Sequence, residues 1–186
     1  MSAGKLIVIT GPSGVGKGTI VKALLKSHST LSLSISATTR QPRPGEVEGV
    51  DYYFFSRLQF EAAIASGEFL EWAEYAGNYY GTPRSKVEAQ LNQGKSVLLE
   101  IEVVGAKKIA SIFPDALRIF ILPPSVQELE TRIRNRGTNS EASIACRLAI
   151  AKTEIAASTE FDFTIINDDL NQAIALVEAI IFKGDL

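Results

Sequence analysis

Four groups of residues in this 186-residue chain have types and spacings that could do chemistry. The densest is Gly11-Pro12-Ser13-Gly14-Val15-Gly16-Lys17-Gly18-Thr19. Its glycines let successive backbone N–H groups turn inward around phosphate oxygens without Cβ clashes, and Lys17 adds a point charge. Arg40 and Arg43 sit in the proline-constrained run Arg40-Gln41-Pro42-Arg43-Pro44. Prolines lower the loop's entropy, so two guanidinium forks can be held ready for a dianionic phosphate. Arg132 and Arg136 share one helix face, and Arg147 follows the Gly137-Thr138-Asn139 turn. Glu100 and Glu102 end the apolar run Val97-Leu98-Leu99, and acids close an apolar strand when there is a cation to meet. The shared theme is capture of phosphate and neutralisation of its charge.

These groups need elements to hold them. The glycine run follows Leu6-Ile7-Val8-Ile9-Thr10 and leads into Ile20-Val21-Lys22-Ala23-Leu24-Leu25. Strand, glycine loop and helix in that order make a P-loop, in which the helix start adds free N–H groups and a positive dipole end. A nucleoside triphosphate is the ligand it implies. One position departs from the pattern. Gly18 stands where a Mg2+-ligating Ser or Thr is expected, and the hydroxyl comes one residue later, on Thr19. Mg2+ is then expected to rest on waters, phosphate oxygens and carboxylates, with Glu100 and Glu102 as candidates through water.

Further strands read at Val97–Glu102, Leu117–Leu122 and Phe163–Ile166, and another through Leu31, Leu33 and Ile35, ending near Ser36. Near-continuous apolar runs predict strands buried on both faces. A Ser56/Gln59 capping box opens a helix to about Ser66, and Thr82-Pro83 opens another that Gly94 stops. Ser125 and Glu128 cap a third running to Arg136, a fourth spans about Ser140 to Ala157, and Leu170, Ile174, Val177 and Ile181 line a terminal helix. Alternating strands and helices behind a P-loop predict an α/β fold with a mainly parallel sheet flanked by helices. Two polar, charge-bearing segments, Arg40 to Tyr80 and Thr131 to Arg147, interrupt the alternation and read as inserted lobes.

Composition sets outer bounds. A 46% hydrophobic content fits one core with small appended lobes, and a net charge of −2 argues against broad nucleic-acid binding. No apolar run approaches the roughly 18 residues of a membrane span, and no charged-then-apolar leader precedes the P-loop, which also leaves no room for a transit peptide. A cytoplasmic chain is the expectation. Cys146 is the single cysteine, so an intrachain disulfide is excluded, and it reads as a small buried hydrophobe. His28, the only histidine, reads as a surface residue, which leaves no histidine acid–base chemistry or metal cluster.

The runs Thr38-Thr39-Arg40-Gln41-Pro42-Arg43-Pro44-Gly45-Glu46, Asp51-Tyr52-Tyr53-Phe54, Glu71-Trp72 and Asn78-Tyr79-Tyr80-Gly81-Thr82, taken in order behind the P-loop, resemble guanylate kinase over essentially the whole chain. The resemblance implies transfer of a phosphoryl group from ATP, with Mg2+, to GMP. It implies a P-loop core over 1–35, 83–128 and 150–186, a GMP-binding lobe over 36–82 and a helical lid over 129–149. Glu71 would accept guanine N1–H and the 2-amino group, while Ser36 and Thr82 would donate to O6. Arg40, Arg43, Tyr52 and Tyr80 would hold the GMP phosphate, with Glu46 positioning the arginines. Arg132, Arg136 and Arg147 would close over the triphosphate, Glu100 would help organise GMP and Mg2+, and Asn167 would lie near the adenine. The family's Asp-Ile-Asp followed by glutamine is Glu100-Ile101-Glu102 followed by Val104 here. Two other readings stay open: a kinase for another mononucleotide such as AMP or dGMP, and a guanylate-kinase-like interaction module without catalysis.

Overall fold

Strand β1 (Leu6–Thr10) runs through the glycine loop into α1 (Lys17–Ser27), and β2 (Leu31–Leu33), β3 (Ala37–Thr38) and β4 (Tyr53–Phe54) follow. Next come α2 (Arg57–Ala65), the hairpin of β5 (Phe69–Tyr75) and β6 (Asn78–Pro83), then α3 (Arg84–Asn92), β7 (Ser96–Glu100) and α4 (Val103–Ile112). The chain finishes with β8 (Leu117–Leu122), α5 (Val126–Asn135), α6 (Glu141–Ala156), β9 (Phe163–Ile166) and α7 (Leu170–Lys183). The computed structural model describes residues 4–75, 77–135 and 141–183. The fold is α/β with mostly parallel strand pairing and flanking helices, as the alternation predicts.

Two compact units make up the chain. The first takes the chain up to Leu6, Thr30–Leu99 and Val104–Ala116. In it, β2 pairs parallel with β7, and a second sheet runs in the order β4-β3-β6-β5. That second sheet holds the base-reading candidates. Its β5–β6 hairpin is antiparallel and sets Glu71 opposite Thr82. Its floor is an aromatic cluster: Phe60 is fully buried, stacks on Phe69 at 4.4 Å between ring centroids and meets Tyr79 at 5.4 Å. Helix α2 brings Phe60 there. The Ser56 hydroxyl accepts the Gln59 N–H and the Gln59 side chain accepts the Ser56 N–H, which satisfies two donors at the helix start.

The second unit takes Ile7–Ser29, Glu100–Val103 and the chain from Leu117 on. In it, β1, β8 and β9 pair parallel in that order. Ile7, Val8 and Ile9 are fully buried, as are Ile119, Phe120 and Ile121, so these strands are covered on both faces. Strand β9 is not. It lies at the edge of the sheet, and of its four residues only Ile165 is buried.

The structure corrects several readings. Residues 103–112 form a helix that the sequence did not announce, because two β-branched valines and Gly105 open it. Strand β7 stops at Glu100, so Glu102 lies past it, and β6 extends through Pro83, so α3 begins at Arg84. The segment read as an inserted lobe contributes to a four-stranded sheet whose hairpin is rich in Glu and Tyr rather than aliphatic residues, strands that the sequence did not announce. Cys146 is exposed, not buried, because it falls on the outer side of α6 away from Ile144 and Ala151. His28 is half-buried and paired with Glu178 at 2.9 Å. Among the described residues, no helix is long and apolar enough to cross a membrane.

The aromatic floor should be the costliest single point in the first unit. Phe60→Ala is expected to lower unfolding free energy by about 3–5 kcal/mol, read from urea denaturation. A loss below about 1 kcal/mol would show that the cluster is not a packed core.

Candidate nucleotide-binding and phosphoryl-transfer site

In the second unit the glycine loop begins where β1 runs out. Gly11, Gly14 and Gly16 take φ of 142°, 91° and 104°, a region that side-chain-bearing residues rarely enter. The loop closes on itself through the Val15 N–H, which donates to the Pro12 carbonyl at 3.2 Å. Helix α1 starts at Lys17, so its first-turn N–H groups and positive dipole end belong to the same turn. Lys17 is only 8% exposed, and its ammonium donates to the Gly11 carbonyl at 2.5 Å and the Pro12 carbonyl at 3.3 Å. Pro12 and Val15 are buried, Ser13 and Gly14 are half-buried, and Thr19 is exposed on the first turn.

Two departures noted in the sequence turn out to be neighbours. A Cβ on Gly18 would lie 3.4 Å from Glu100 Oε1 and 3.7 Å from Oε2. A side chain at residue 18 would thus start in ordinary van der Waals contact with the Glu100 carboxylate. Burial raises the Glu100 pKa and the Glu102 carboxylate adds to the rise, while the charges of Lys17 and Lys22 oppose it. Glu102 has one buried carboxylate oxygen without a hydrogen-bond partner, and so has Glu154.

Glu154 is the residue that sequence reading missed. It sits on α6 in register with buried Ile144 and Ala151, and an acid at a core position of a helical repeat was the available signal. It is 9% exposed. Burial first, and then the Glu102 carboxylate, push its pKa up to about 7, against the pull of Lys17.

Asn167 lies just past β9 and is buried. Its amide donates to the Val15 carbonyl at 2.8 Å, so it braces the glycine loop. Its backbone carbonyl accepts a hydrogen bond from Arg132 at 3.0 Å, and Arg132 also donates to Glu128 one turn back. The loop and α5 are thus tied to the same residue. Arg147 stands half-buried on α6. Arg136 lies outside the described residues.

In the first unit the arginine loop is built before any ligand meets it. Arg40 donates to both carboxylate oxygens of Glu46, at 2.8 and 3.0 Å, and the Arg43 backbone N–H donates to the same carboxylate at 2.7 Å. Burial alone would raise the Glu46 pKa, but these hydrogen bonds and charges hold it below the usual carboxylate range. The Arg40 guanidinium lies 5.3 Å from the centre of the Tyr52 ring and interacts with Tyr80, whose ring meets Tyr52 edge-on at 6.1 Å. The structure so brings Arg40, Glu46, Tyr52 and Tyr80 together, with Arg43 contributing its backbone there while its side chain is exposed.

The other cluster in this unit centres on Glu71. It is 6% exposed and accepts the Thr82 hydroxyl at 2.6 Å, and Thr82 is fully buried. Ser36 lies on the link from β2 to β3, where its carbonyl accepts the Tyr53 N–H at 2.9 Å. A buried carboxylate with a hydroxyl beside it suits a ligand edge that offers two adjacent donors.

A glycine loop joining a buried strand to a helix, with a sequestered lysine in it, defines a P-loop nucleotide-binding protein. The family model described as guanylate kinase matches residues 3–184. A guanylate kinase of Synechococcus elongatus is 59% identical over 183 residues, which cover 98% of this chain and all of that one. One from a Nostoc species is 60% identical over 180 residues, 97% of this chain and 90% of that one. The crystal structure of guanylate kinase from Anaplasma phagocytophilum superposes with a TM-score of 0.82 at 33% identity, covering all of this chain and 88% of that one. The chain belongs to the guanylate kinase family.

The Glu154 carboxyl generates a pH prediction. Its folded pKa of about 7 lies above its ordinary 4.5, so the folded state binds the proton more tightly. The cost of ionising it is absent below about pH 4.5, grows from there to about 7 and is complete above. Glu154→Gln is therefore expected to gain about 2–3 kcal/mol of stability relative to the parent between pH 5 and pH 8, measured by denaturant unfolding at each pH. A difference that does not change with pH would refute the raised pKa.

Proposed function

We propose that the protein transfers the terminal phosphoryl group of ATP to GMP, releasing ADP and GDP. The observation that carries this reading is the buried Glu71–Thr82 pair in a chain that matches guanylate kinases along its whole length. Guanine presents N1–H and its 2-amino group side by side, which one carboxylate can accept together, and O6 takes a hydroxyl from Ser36, or from Thr82 once its proton turns away from Glu71. Adenine would leave a desolvated carboxylate with no donor, a costly mismatch.

The GMP phosphate is close to dianionic at neutral pH, so its oxygen attacks without a strong base. That oxygen bonds to the γ-phosphorus while the bond from γ-phosphorus to the ADP oxygen breaks. Arg40, Arg43, Tyr52 and Tyr80 hold the acceptor, and Glu46 fixes Arg40. The loop from Gly11 to Thr19 takes the triphosphate, braced by Asn167. Lys17, Arg132, Arg136 and Arg147 offset the charge spread over the transferred oxygens. Among the described residues no three His, Cys, Asp or Glu side chains form a direct metal cage. Glu100 and Glu102 would receive the water shell of a Mg2+ carried by the phosphate oxygens. When bound, Mg2+ neutralises charge across the β- and γ-phosphates. We place the reaction in the cytoplasm, where both nucleotides are drawn from common pools. dGMP stays open as an alternative acceptor, which the assay sets beside GMP.

A coupled assay of ADP release tests the reading. GMP and dGMP are expected to turn over, with AMP slower by about 10³-fold or more in kcat/KM. Glu71→Ala is expected to lose about 10²-fold with GMP and most of that preference. Equal turnover of AMP and GMP by the parent chain would overturn the assignment.

A further inference from the structure

We infer that Gly105 is a specificity-determining position: the lack of a side chain there sets where the Glu71 carboxylate sits, and through it how well the pocket tells guanine from other purines. The inference rests on the reading of Glu71 as the group that meets the guanine edge. Gly105 is the third residue of α4 and is buried. A Cβ built on it would lie 2.9 Å from Glu71 Cδ and 3.4 Å from Oε1, with Oε2 nearer still. Real Cβ atoms do not sit that close to a carboxyl carbon, so any residue with a side chain at 105 forces a shift.

The question is which partner shifts. Helix α4 is pinned. Ala106 and Ile109 on either side of the next turn are fully buried. Lys108, one turn beyond Gly105, donates its ammonium to the Trp72 carbonyl and lies 5.0 Å from the centre of the Trp72 ring. Lys108 thus ties the helix to β5 at the residue next to Glu71, and a recession of the helix would disturb its buried residues Ala106 and Ile109. Gly105 itself has helical backbone, with no left-handed φ, so alanine meets no backbone strain there and is the better helix former. The end of the Glu71 side chain is the part that gives. It is closed in by Thr82 on one side, at 2.6 Å from the hydroxyl, and by Gly105 on the other. Thr82 leaves no room for it to slide straight back, so a side chain at residue 105 forces the carboxylate to rotate, and its oxygens leave the positions that would receive N1–H and the 2-amino group. Hydrogen bonds to a buried carboxylate are steep in geometry, so a small displacement costs base recognition and little else.

The test is a double-mutant cycle on Gly105→Ala and Glu71→Ala, with GMP and IMP as acceptors. IMP lacks the 2-amino group and so reports one of the two carboxylate contacts. Gly105→Ala is expected to raise KM for GMP at least about tenfold. KM for ATP should stay within about twofold, kcat at saturation should be largely kept, and the thermal midpoint should be unchanged or higher. The GMP-over-IMP preference should shrink toward unity. In the Glu71→Ala background the same alanine should have no further effect on GMP, because it acts through the group already removed. Parent-like KM for GMP in Gly105→Ala, or a full additional loss in the double variant, would overturn the inference. So would a lower melting point with loss of both substrates, since the helix and not the carboxylate would then have yielded. If Glu71→Ala alone left GMP binding intact, the base-reading assignment would fall and this inference with it. If Glu71→Ala weakened GMP and Gly105→Ala did not, the inference alone would fall.

Discussion

A buried ammonium must be answered by something, and in the second unit much follows from how Lys17 is answered. Lys17 is 8% exposed and rests on two carbonyls of its own loop. Those bonds fold the loop around its charge and leave the glycine backbone turned toward the same point. Glu100 and Glu154 both feel that charge, yet burial raises the pKa of each. For Glu154 burial outweighs the pull of Lys17 and leaves its pKa at about 7. Asn167 then locks the loop from the end of β9 and ties Arg132 to it. Gly18 and Glu100 belong to this economy of space: the residue without a side chain is the one the carboxylate leans on.

The first unit solves a different problem. Its charges are held by opposite charges before a nucleotide is present. Glu46 takes both Arg40 and the Arg43 backbone, so the Arg40 guanidinium has little orientational entropy left to lose. Glu71 is ordered by closure instead, between Thr82 and the bare backbone of Gly105. Preorganised donors and acceptors of this kind spend their desolvation cost at folding and not at binding.

Much of this was legible in the residues. The P-loop needed only its glycine spacing and its apolar flanks, and the buried strands β1 and β8 announced themselves as unbroken runs of Ile, Leu, Val and Phe. The Ser56/Gln59 box marked the start of α2 correctly. The hairpin β5–β6 was hidden, because most of its strand residues are Glu, Tyr, Asn, Gly or Pro, and its stability comes from the aromatic floor beneath it, not from its own pattern. Helix α4 was hidden for a related reason. Its opening Val-Val-Gly is poor helix material, and packing overrides propensity there. Edge strand β9 read as buried because a run of Phe and Ile does not say which side of a sheet it will end on. Glu154 and Gly105 carry no motif. Glu154 offered only the signal of an acid at a core position of its helix, and Gly105 becomes visible only through the carboxylate that lies against it.

Calorimetry on the parent chain and Lys17→Met, titrated separately with a non-hydrolysable ATP analogue and with GMP, isolates what the buried ammonium does. The methionine variant is expected to lose about 10²-fold or more in affinity for the triphosphate while binding GMP as the parent does. Undiminished triphosphate binding, or an equal loss for both nucleotides, would contradict it.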